Sequence, residues 1–346
     1  MKTRAWAALA ADKPLVPHTI ERRAVGPSDV LIELLYSGIC HSDIHQARGE
    51  WGNSTFPMVP GHEIIGRVTE VGAQVKKFKV GDLAGVGCMV DSCRTCGPCK
   101  EDHEQFCEAV PAWTYNGTEM DRRTPTYGGY STHVVVTEAF VLKVPESLDV
   151  SRAAPLLCAG ITTYSPLRQW GCRAGQRVGV VGLGGLGHMA VKLAHAMGAH
   201  VTMLSTTASK AADAQRLGAS DFALTTDRAT FRKLAGKFDL LIDTVSASHD
   251  VNALLRLLKP FGALAMVGAP PKAVEVQAFS LIGGNKRFAG SSIGGIRETQ
   301  EMLDFCAQHG VVSDVEVIAA KDINTAYERM LKNDVRYRFV IDAKTV

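Results

Sequence analysis

Cys40, His62 and Cys158 are of the types that hold a transition metal, and together they would leave room on it. Cys40 stands in Gly38-Ile39-Cys40-His41-Ser42-Asp43-Ile44-His45, which gathers a thiol, a hydroxyl, a carboxylate and two imidazoles in a few residues. His62 stands in Gly61-His62-Glu63, and Cys158 far downstream in Leu157-Cys158-Ala159-Gly160. Two thiolates and one imidazole form a set that leaves zinc an open fourth position for water or a substrate. Taken singly, each reads as well as an unrelated buried residue, since free cysteine is commonly buried. Further metal and nucleotide signals favour the ligand reading.

The most specific of these is Cys93-Arg94-Thr95-Cys96-Gly97-Pro98-Cys99 with Cys107 a short loop away. Four thiolates so spaced can surround one ion tetrahedrally with no open position, which makes a structural zinc site. Gly97 and Pro98 suit a tight wrap, and Arg94 and Lys100 are expected to offset part of the thiolate charge. A disulfide pair or an iron–sulfur cluster would use similar spacing, but structural zinc is the preferred reading.

A nucleotide signal follows. Val178-Gly179-Val180-Val181 reads as a strand, then comes Gly182-Leu183-Gly184-Gly185-Leu186-Gly187, then a helical pattern stopped by Gly198. This is G-x-G-x-x-G between strand and helix. Gly182 permits the tight turn, Gly184 lets backbone approach a pyrophosphate, and Gly187 lets helix and strand pack closely. The helix N-terminus offers free N–H groups to phosphate. About 20 residues on, an NAD site places an acid for the adenosine ribose. Here the next strand ends at Ser205, followed by Thr206 and, a short loop away, Lys210. A carboxylate at 205 would repel a 2′-phosphate, whereas Ser205 and Thr206 can donate to one and Lys210 adds charge. NADP(H) is therefore expected over NAD(H). The plainer reading, a hydroxyl-rich loop with Ser205 or Ser209 as a helix cap, is compatible with that choice.

The elements that must position these residues fall into two textures. Residues 1–150 are rich in valine and glycine and turn often: residues 30–36, 64–71, 80–90 and 132–136 read as strands, 40–46 as a short helix and 113–125 as a loop. Short strands between glycine turns suggest a β-barrel-like domain. From there strands and helices alternate: strands at 201–204, 238–243 and 263–268, a helix at 251–258, and helices closed by Gly198 and Gly218. That alternation means an α/β chain with a doubly wound parallel sheet. Helices at 298–309 and 323–331 and a strand at 338–341 are assigned back to the first domain. The division is thus 1–152 with 290–346, and 153–289. A formal charge of +3 is too weak to make nucleic acid the main partner. No apolar run approaches membrane-spanning length, and the N-terminus makes a poor signal peptide. A cytoplasmic protein is expected, with nine cysteines serving metals or staying reduced.

These motifs, with Gly290-Ser291-Ser292-Ile293-Gly294 and Arg336-Tyr337-Arg338-Phe339-Val340, resemble the zinc-dependent medium-chain alcohol dehydrogenases over essentially the whole chain, and within them the cinnamyl-alcohol-dehydrogenase-like, broad-specificity aldehyde reductase branch. Cys₂His ligation of zinc is the arrangement for which alcohol dehydrogenase is the standing example. The resemblance implies a GroES-like β-barrel catalytic domain, a Rossmann coenzyme domain, a site in the cleft between them, and a homodimer or homotetramer. It implies two zinc ions per chain, one on Cys40, His62 and Cys158 and one on Cys93, Cys96, Cys99 and Cys107. Glu63 matches a glutamate beside the first zinc that can bind it transiently. Asp43 matches the carboxylate that orients the ligand histidine, and Ser42 and His45 match a proton relay. Trp51, Cys88, Trp113 and Ile293 match substrate-pocket positions. The coenzyme residues implied are His41, Thr162, Gly182, Leu183, Gly184, Gly185, Leu186, Gly187, Ser205, Thr206, Lys210, Thr244, Val267, Gly268, Ser291, Ile293 and Arg338.

The expected reaction is reversible reduction of aromatic or medium-chain aldehydes to primary alcohols with NADPH. A zinc polyol dehydrogenase is the nearest rival, weakened because such relatives tend to carry glutamate where Cys158 stands. A non-catalytic nucleotide-binding protein on the same fold would be expected to lose ligands that are all present here.

Overall fold

Runs of apolar residues at Val178–Val181, Val201–Leu204 and Leu240–Ile242 are buried to the last residue, as strands covered on both faces must be. In the computed structural model, which describes residues 1–346, they lie in a six-stranded sheet. Its order is Asp221–Leu224, His200–Ser205, Arg177–Val181, Phe238–Asp243, Leu258–Met266 and Arg287–Gly290. Every pairing is parallel. Strand order therefore runs outward in both directions from the adjacent pair Arg177–Val181 and Phe238–Asp243. That reversal is the point at which doubly wound sheets bind ligands, at the carboxyl ends of the strands. The helix Gly187–Ala196 follows the first of these strands directly. Gly198 and Gly218 take φ of +83° and +108° just past helix ends, a left-handed conformation open to glycine.

The other unit is built on a mostly antiparallel sheet in the order Leu142–Lys143, Leu83–Val86, Ile64–Val71, Asp29–Gly38, Arg338–Asp342 and Val315–Ala319, with His133–Thr137 also on Asp29–Gly38. Asp29–Gly38 is central and long, and its end delivers Cys40 to the helix His41–Ala47. The C-terminal strand Arg338–Asp342 pairs with it through Val340 and Gly38, so the tail does return to this unit. Ile39, Ile44, Tyr130, Tyr327 and Phe339 join one buried cluster behind the helix.

The two units comprise residues 1–158 with 294–346, and residues 159–293. These limits differ from 152/153 and 289/290. The one-turn helix Ala154–Leu157 is wholly buried and stays with the first unit, while Ser291 N–H bonds Met266 O at 3.1 Å and stays with the parallel sheet. Three local expectations are corrected. Residues 80–90 form two strands, Leu83–Val86 and Met89–Asp91. Residues 113–125 are not all loop: Ala112–Trp113 pairs with Met89–Asp91, and Gly117–Thr118 with Pro125–Thr126. Leu258 ends no helix; the helix is Val251–Leu257 and Leu258 starts the next strand. The hairpin Lys2–Ala7 with Val16–Glu21 went unread, because its inward positions include Thr3, Ala5 and Ala7, a weak apolar alternation. No helix is long and apolar enough to cross a membrane.

Candidate active site

Cys40 ends the run from the central strand and opens the helix His41–Ala47, where its N–H donates to Asp43 Oδ2 at 2.8 Å. Asp43 is fully buried and gathers three further donors. Gly61 N–H reaches Oδ1 at 3.0 Å, His62 Nδ1 lies 3.1 Å from Oδ1, and the Tyr130 hydroxyl reaches Oδ2 at 3.2 Å. Gly61 takes φ +104°, and a Cβ there would fall 2.7 Å from Tyr130 Cδ1, so glycine is required for this approach. With Nδ1–H spent on Asp43, His62 keeps Nε2 as its ligand atom. Burial disfavours a charge on His62, but Asp43 outweighs it and raises the ring's pKa well above its usual range, so a metal at Nε2 would displace a proton there.

Cys40, His62, Glu63 and Cys158 bring one ligand atom each to within 4.8 Å of one another. The Cys40 and Cys158 sulfurs are 4.0 Å apart; zinc–thiolate bonds of about 2.3 Å in a tetrahedron would set them about 3.8 Å apart. The hydrogen bond between the two thiols drives Cys40 well below its usual pKa and Cys158 well above. Glu63 is fully buried; one oxygen meets Arg338 and the other, Oε2, has no hydrogen-bond partner. Burial pushes its carboxyl up to about 8 against the pull of Arg338. A close-set pair of thiols, an oriented imidazole and an unsatisfied carboxylate oxygen fit a divalent cation.

The second group, Cys93, Cys96, Cys99 and Cys107, is equally close-set, with Cys93 and Cys99 sulfurs 4.0 Å apart. Backbone N–H groups of Cys93 and Cys96 point at Cys107 and Cys93 sulfurs, both at 3.4 Å. All four are free thiols in the structure, and four sulfurs at these separations fit a closed zinc site. Arg94 does not offset their charge: its guanidinium is held by Asp91 at 2.7 Å and by Thr137 at 3.2 Å.

Ser42 Oγ lies 3.7 Å from Cys40 Sγ. His45 sits on the same helix, its Nδ1 2.5 Å from Glu50 Oε2 and its ring stacked on Trp51 at 5.3 Å. Trp51 and Trp113 are 50% and 37% exposed, so both offer free aromatic surface. Cys88 Sγ faces Leu157 O at 4.0 Å. Tyr115, unmarked by any motif, stacks on His62 at 5.8 Å. Neither it nor Tyr130 carried a sequence signal, because both come from distant segments whose pairing only the fold reveals. Arg338, expected at the coenzyme, is 3% exposed and donates to Glu63 and to Ile39 O, the latter at 2.8 Å, while its Nε has no partner. His41 is exposed at the first turn of its helix.

In the parallel-sheet unit Gly182 turns at φ +89°, and a Cβ on Gly187 would lie 1.9 Å from Gly182 O. Gly184 has nothing within 4 Å of its Cβ position, which leaves open space beside the turn that also holds Leu183, Gly185 and Leu186. Lys210 Nζ donates to Leu183 O at 2.7 Å, which brings its charge to the turn. Ser205 Oγ accepts from Thr207 N–H at 3.2 Å and so keeps its own hydrogen to donate, while Thr206 is exposed. Thr244 Oγ1 donates to Val181 O at 2.8 Å. Val267 and Gly268 N–H both reach Asp243 O, at 2.9 and 3.0 Å. Thr162 is buried in the helix Ala159–Gln169, and Ile293 takes φ +40° at the end of this unit.

Residues 26–146 match the model of the alcohol dehydrogenase GroES-like domain, and residues 185–308 that of the zinc-binding dehydrogenase family. The chain is 57% identical over 343 residues to the NADP-dependent alcohol dehydrogenase C 1 of Mycolicibacterium smegmatis, covering 99% of this chain and 98% of that one. It is 51% identical over 350 residues to the aldehyde reductase YahK of Escherichia coli, with 100% and 99% covered. Among solved structures, the CAD of Helicobacter pylori in complex with NADP(H) superposes with a TM-score of 0.93 at 45% identity, covering 99% of this chain and 98% of that one.

Proposed function

The chain belongs to the zinc-dependent medium-chain alcohol dehydrogenases, in their CAD-like branch, and from that premise we propose that it reduces aromatic or medium-chain aldehydes to primary alcohols at the Cys40–His62–Cys158 centre. It is an oxidoreductase that uses NADP(H) and zinc, and NADPH-linked aldehyde reduction is its reaction class.

The observation that carries the site assignment is the Cys40–Cys158 sulfur separation of 4.0 Å beside a His62 already oriented by Asp43. Zinc held by these residues supplies Lewis acidity toward a carbonyl oxygen, and NADPH supplies the hydride. Asp43 fixes the tautomer of His62 and, by accepting from Cys40 and Gly61 N–H groups, holds both ligand-bearing segments in one geometry. Ser42, whose hydroxyl both donates and accepts, passes a proton beside Cys40. His45 exchanges that proton with solvent, which its 33% exposed side chain and its bond to Glu50 permit. No hydrogen bond joins Ser42 to His45 directly, so the relay needs a bridging donor–acceptor group between them. Cys93, Cys96, Cys99 and Cys107 hold a second zinc whose role is to fold their lobe. Arg338 holds Glu63 at the metal cluster and keeps a buried Nε without a partner, which is compatible with a coenzyme contact.

Trp51 and Trp113 support an apolar, aromatic-accepting substrate, since each presents a large π surface to solvent. We assign the protein to the cytoplasm, acting as a homodimer or homotetramer. Purified enzyme given NADPH with cinnamaldehyde, benzaldehyde, hexanal and acetaldehyde tests the substrate class. Higher kcat/KM for the first three is expected; equal efficiency on acetaldehyde and cinnamaldehyde removes the aromatic wall.

A further inference from the structure

Asp243 closes the strand Phe238–Asp243, on one side of the strand-order reversal, and its carboxylate is fully buried. Only one cationic group reaches it. His249 Nε2 lies 2.7 Å from Asp243 Oδ2, while Asp243 Oδ1 takes Val245 N–H at 3.2 Å. The other ring nitrogen, Nδ1, lies 2.9 Å from Ala247 O. A carboxylate and a carbonyl can only accept hydrogen bonds at these positions. A neutral imidazole has one N–H and can satisfy one of them; an imidazolium has two and satisfies both.

The turn held in this way is the one against which the glycine turn is built. A Cβ on Gly182 would meet Val245 Cγ2 at 2.9 Å and Thr244 Oγ1 at 3.0 Å, and a Cβ on Gly268 would meet Val245 O at 2.5 Å. Thr244 and Val245 are thus wedged between the phosphate-binding turn and the end of the next strand. Residues 243–249 form a closed loop whose two ends are tied through His249.

We propose that His249 is a positioning residue for the coenzyme: clamped as an imidazolium between Asp243 and Ala247 O, it holds the 243–249 turn against the glycine turn, and NADP(H) affinity falls when the ring loses its proton. This rests on the reading of the parallel-sheet unit as the NADP(H) site. Asp243, through its hydrogen bond, and then the Ala247 carbonyl raise the ring's pKa above the ordinary value, against the effect of partial burial. The charged groups around the ring are Asp243 from the strand and Asp250, which caps the helix Val251–Leu257. Arg256 of that helix is drawn to Asp250 at 3.7 Å. Both neighbours of the ring are therefore negative and favour the cation. A raised pKa means that the clamp is intact at and below the usual histidine range of about 6.5 and is lost as pH climbs through the raised value.

The test compares NADPH dissociation constants, read by coenzyme fluorescence, for the intact enzyme and for His249→Gln between pH of about 7 and 9, above the phosphate's own titration near pH 6. Glutamine can donate to Asp243 but cannot titrate. Wild-type affinity is expected to weaken about three- to tenfold across the window, the worth of one or two ordinary hydrogen bonds. His249→Gln should be flat there. Identical pH profiles in the two proteins overturn the clamp while leaving NADPH binding intact; no NADPH binding at any pH overturns the coenzyme reading with it. If His249→Gln does not fold, the ¹⁵N shifts of the His249 ring in the wild type decide. Two protonated nitrogens that lose a proton in step with NADPH affinity support the clamp, and a ring that titrates with no change in NADPH affinity overturns it.

Discussion

Arg338 and Glu63 form an ion pair with side chains only 4% and 0% exposed, directly against the Cys40, His62 and Cys158 cluster. The pair settles a charge problem. Two thiolates and the Glu63 carboxylate gather three negative charges beside the buried Asp43, and a divalent ion offsets two of them. Arg338, reaching in from the C-terminal strand, supplies a further positive charge and also donates to Ile39 O at 2.8 Å, beside Cys40. Gly38 makes room for the carboxylate, since a Cβ there would fall 1.9 Å from Glu63 Oε2.

Arg338→Leu should therefore destabilise the first unit by up to about 3–5 kcal/mol, the cost of leaving one member of a buried pair alone. The double change with Glu63→Gln should recover a large part of that loss. Chemical denaturation of zinc-loaded protein reads both. A single variant as stable as the wild type would mean that Glu63 has another partner.

Much of this was legible beforehand, for a physical reason. The glycine turn, the four-cysteine run and the strand–helix alternation are local patterns, and local geometry dictates their residue types. Cys158 sits 118 positions from Cys40, yet its type and its resemblance to a known ligand position were enough to find it. Tyr130 and Tyr115 were beyond reach, since a tyrosine that touches Asp43 or His62 looks in sequence like any core tyrosine. The bond from Arg338 to Glu63 carries no local signal, because nothing near Arg338 in sequence reveals that its strand runs antiparallel to the one ending at Gly38. His249 was missed because its partner Asp243 is a strand-end residue with no motif of its own.

The two cysteine clusters should respond differently to damage. Cys158→Ser should abolish turnover while leaving the fold and one zinc per chain. Cys99→Ser should lower stability or soluble yield, because a closed structural site contributes folding free energy directly. Metal analysis and circular dichroism, run beside the assay, separate these outcomes. Full activity in Cys158→Ser would remove it from the catalytic set.

His45→Ala should slow aldehyde reduction by about ten- to a thousandfold, within the range for loss of a general acid–base group. Zinc content should be unchanged, since His45 bonds Glu50 and stacks on Trp51 without touching a ligand residue's metal-facing atom. The pH–rate profile should change. A normal profile at full zinc occupancy would take His45 out of the relay.

Coenzyme choice turns on Ser205, Thr206 and Lys210, and the structure adds a complication that the experiment can use. Ser205 Oγ already accepts from Thr207 N–H, which leaves its own hydrogen to donate. Ser205→Asp would place a carboxylate there, repelling a 2′-phosphate and accepting from a ribose, so it should reverse or abolish the preference for NADPH. Lys210 has two possible roles. Its bond to Leu183 O at 2.7 Å braces the glycine turn, and its ammonium brings positive charge to that turn. Loss of bracing weakens NADPH and NADH alike, whereas loss of a phosphate contact weakens NADPH alone. Lys210→Ala is expected to cost NADPH about 1.5–3 kcal/mol, the range for a hydrogen bond to a charged group, and NADH much less. Dissociation constants for both coenzymes decide between the roles: equal losses would leave Lys210 a brace, and a wild type working better with NADH than NADPH would defeat the whole assignment.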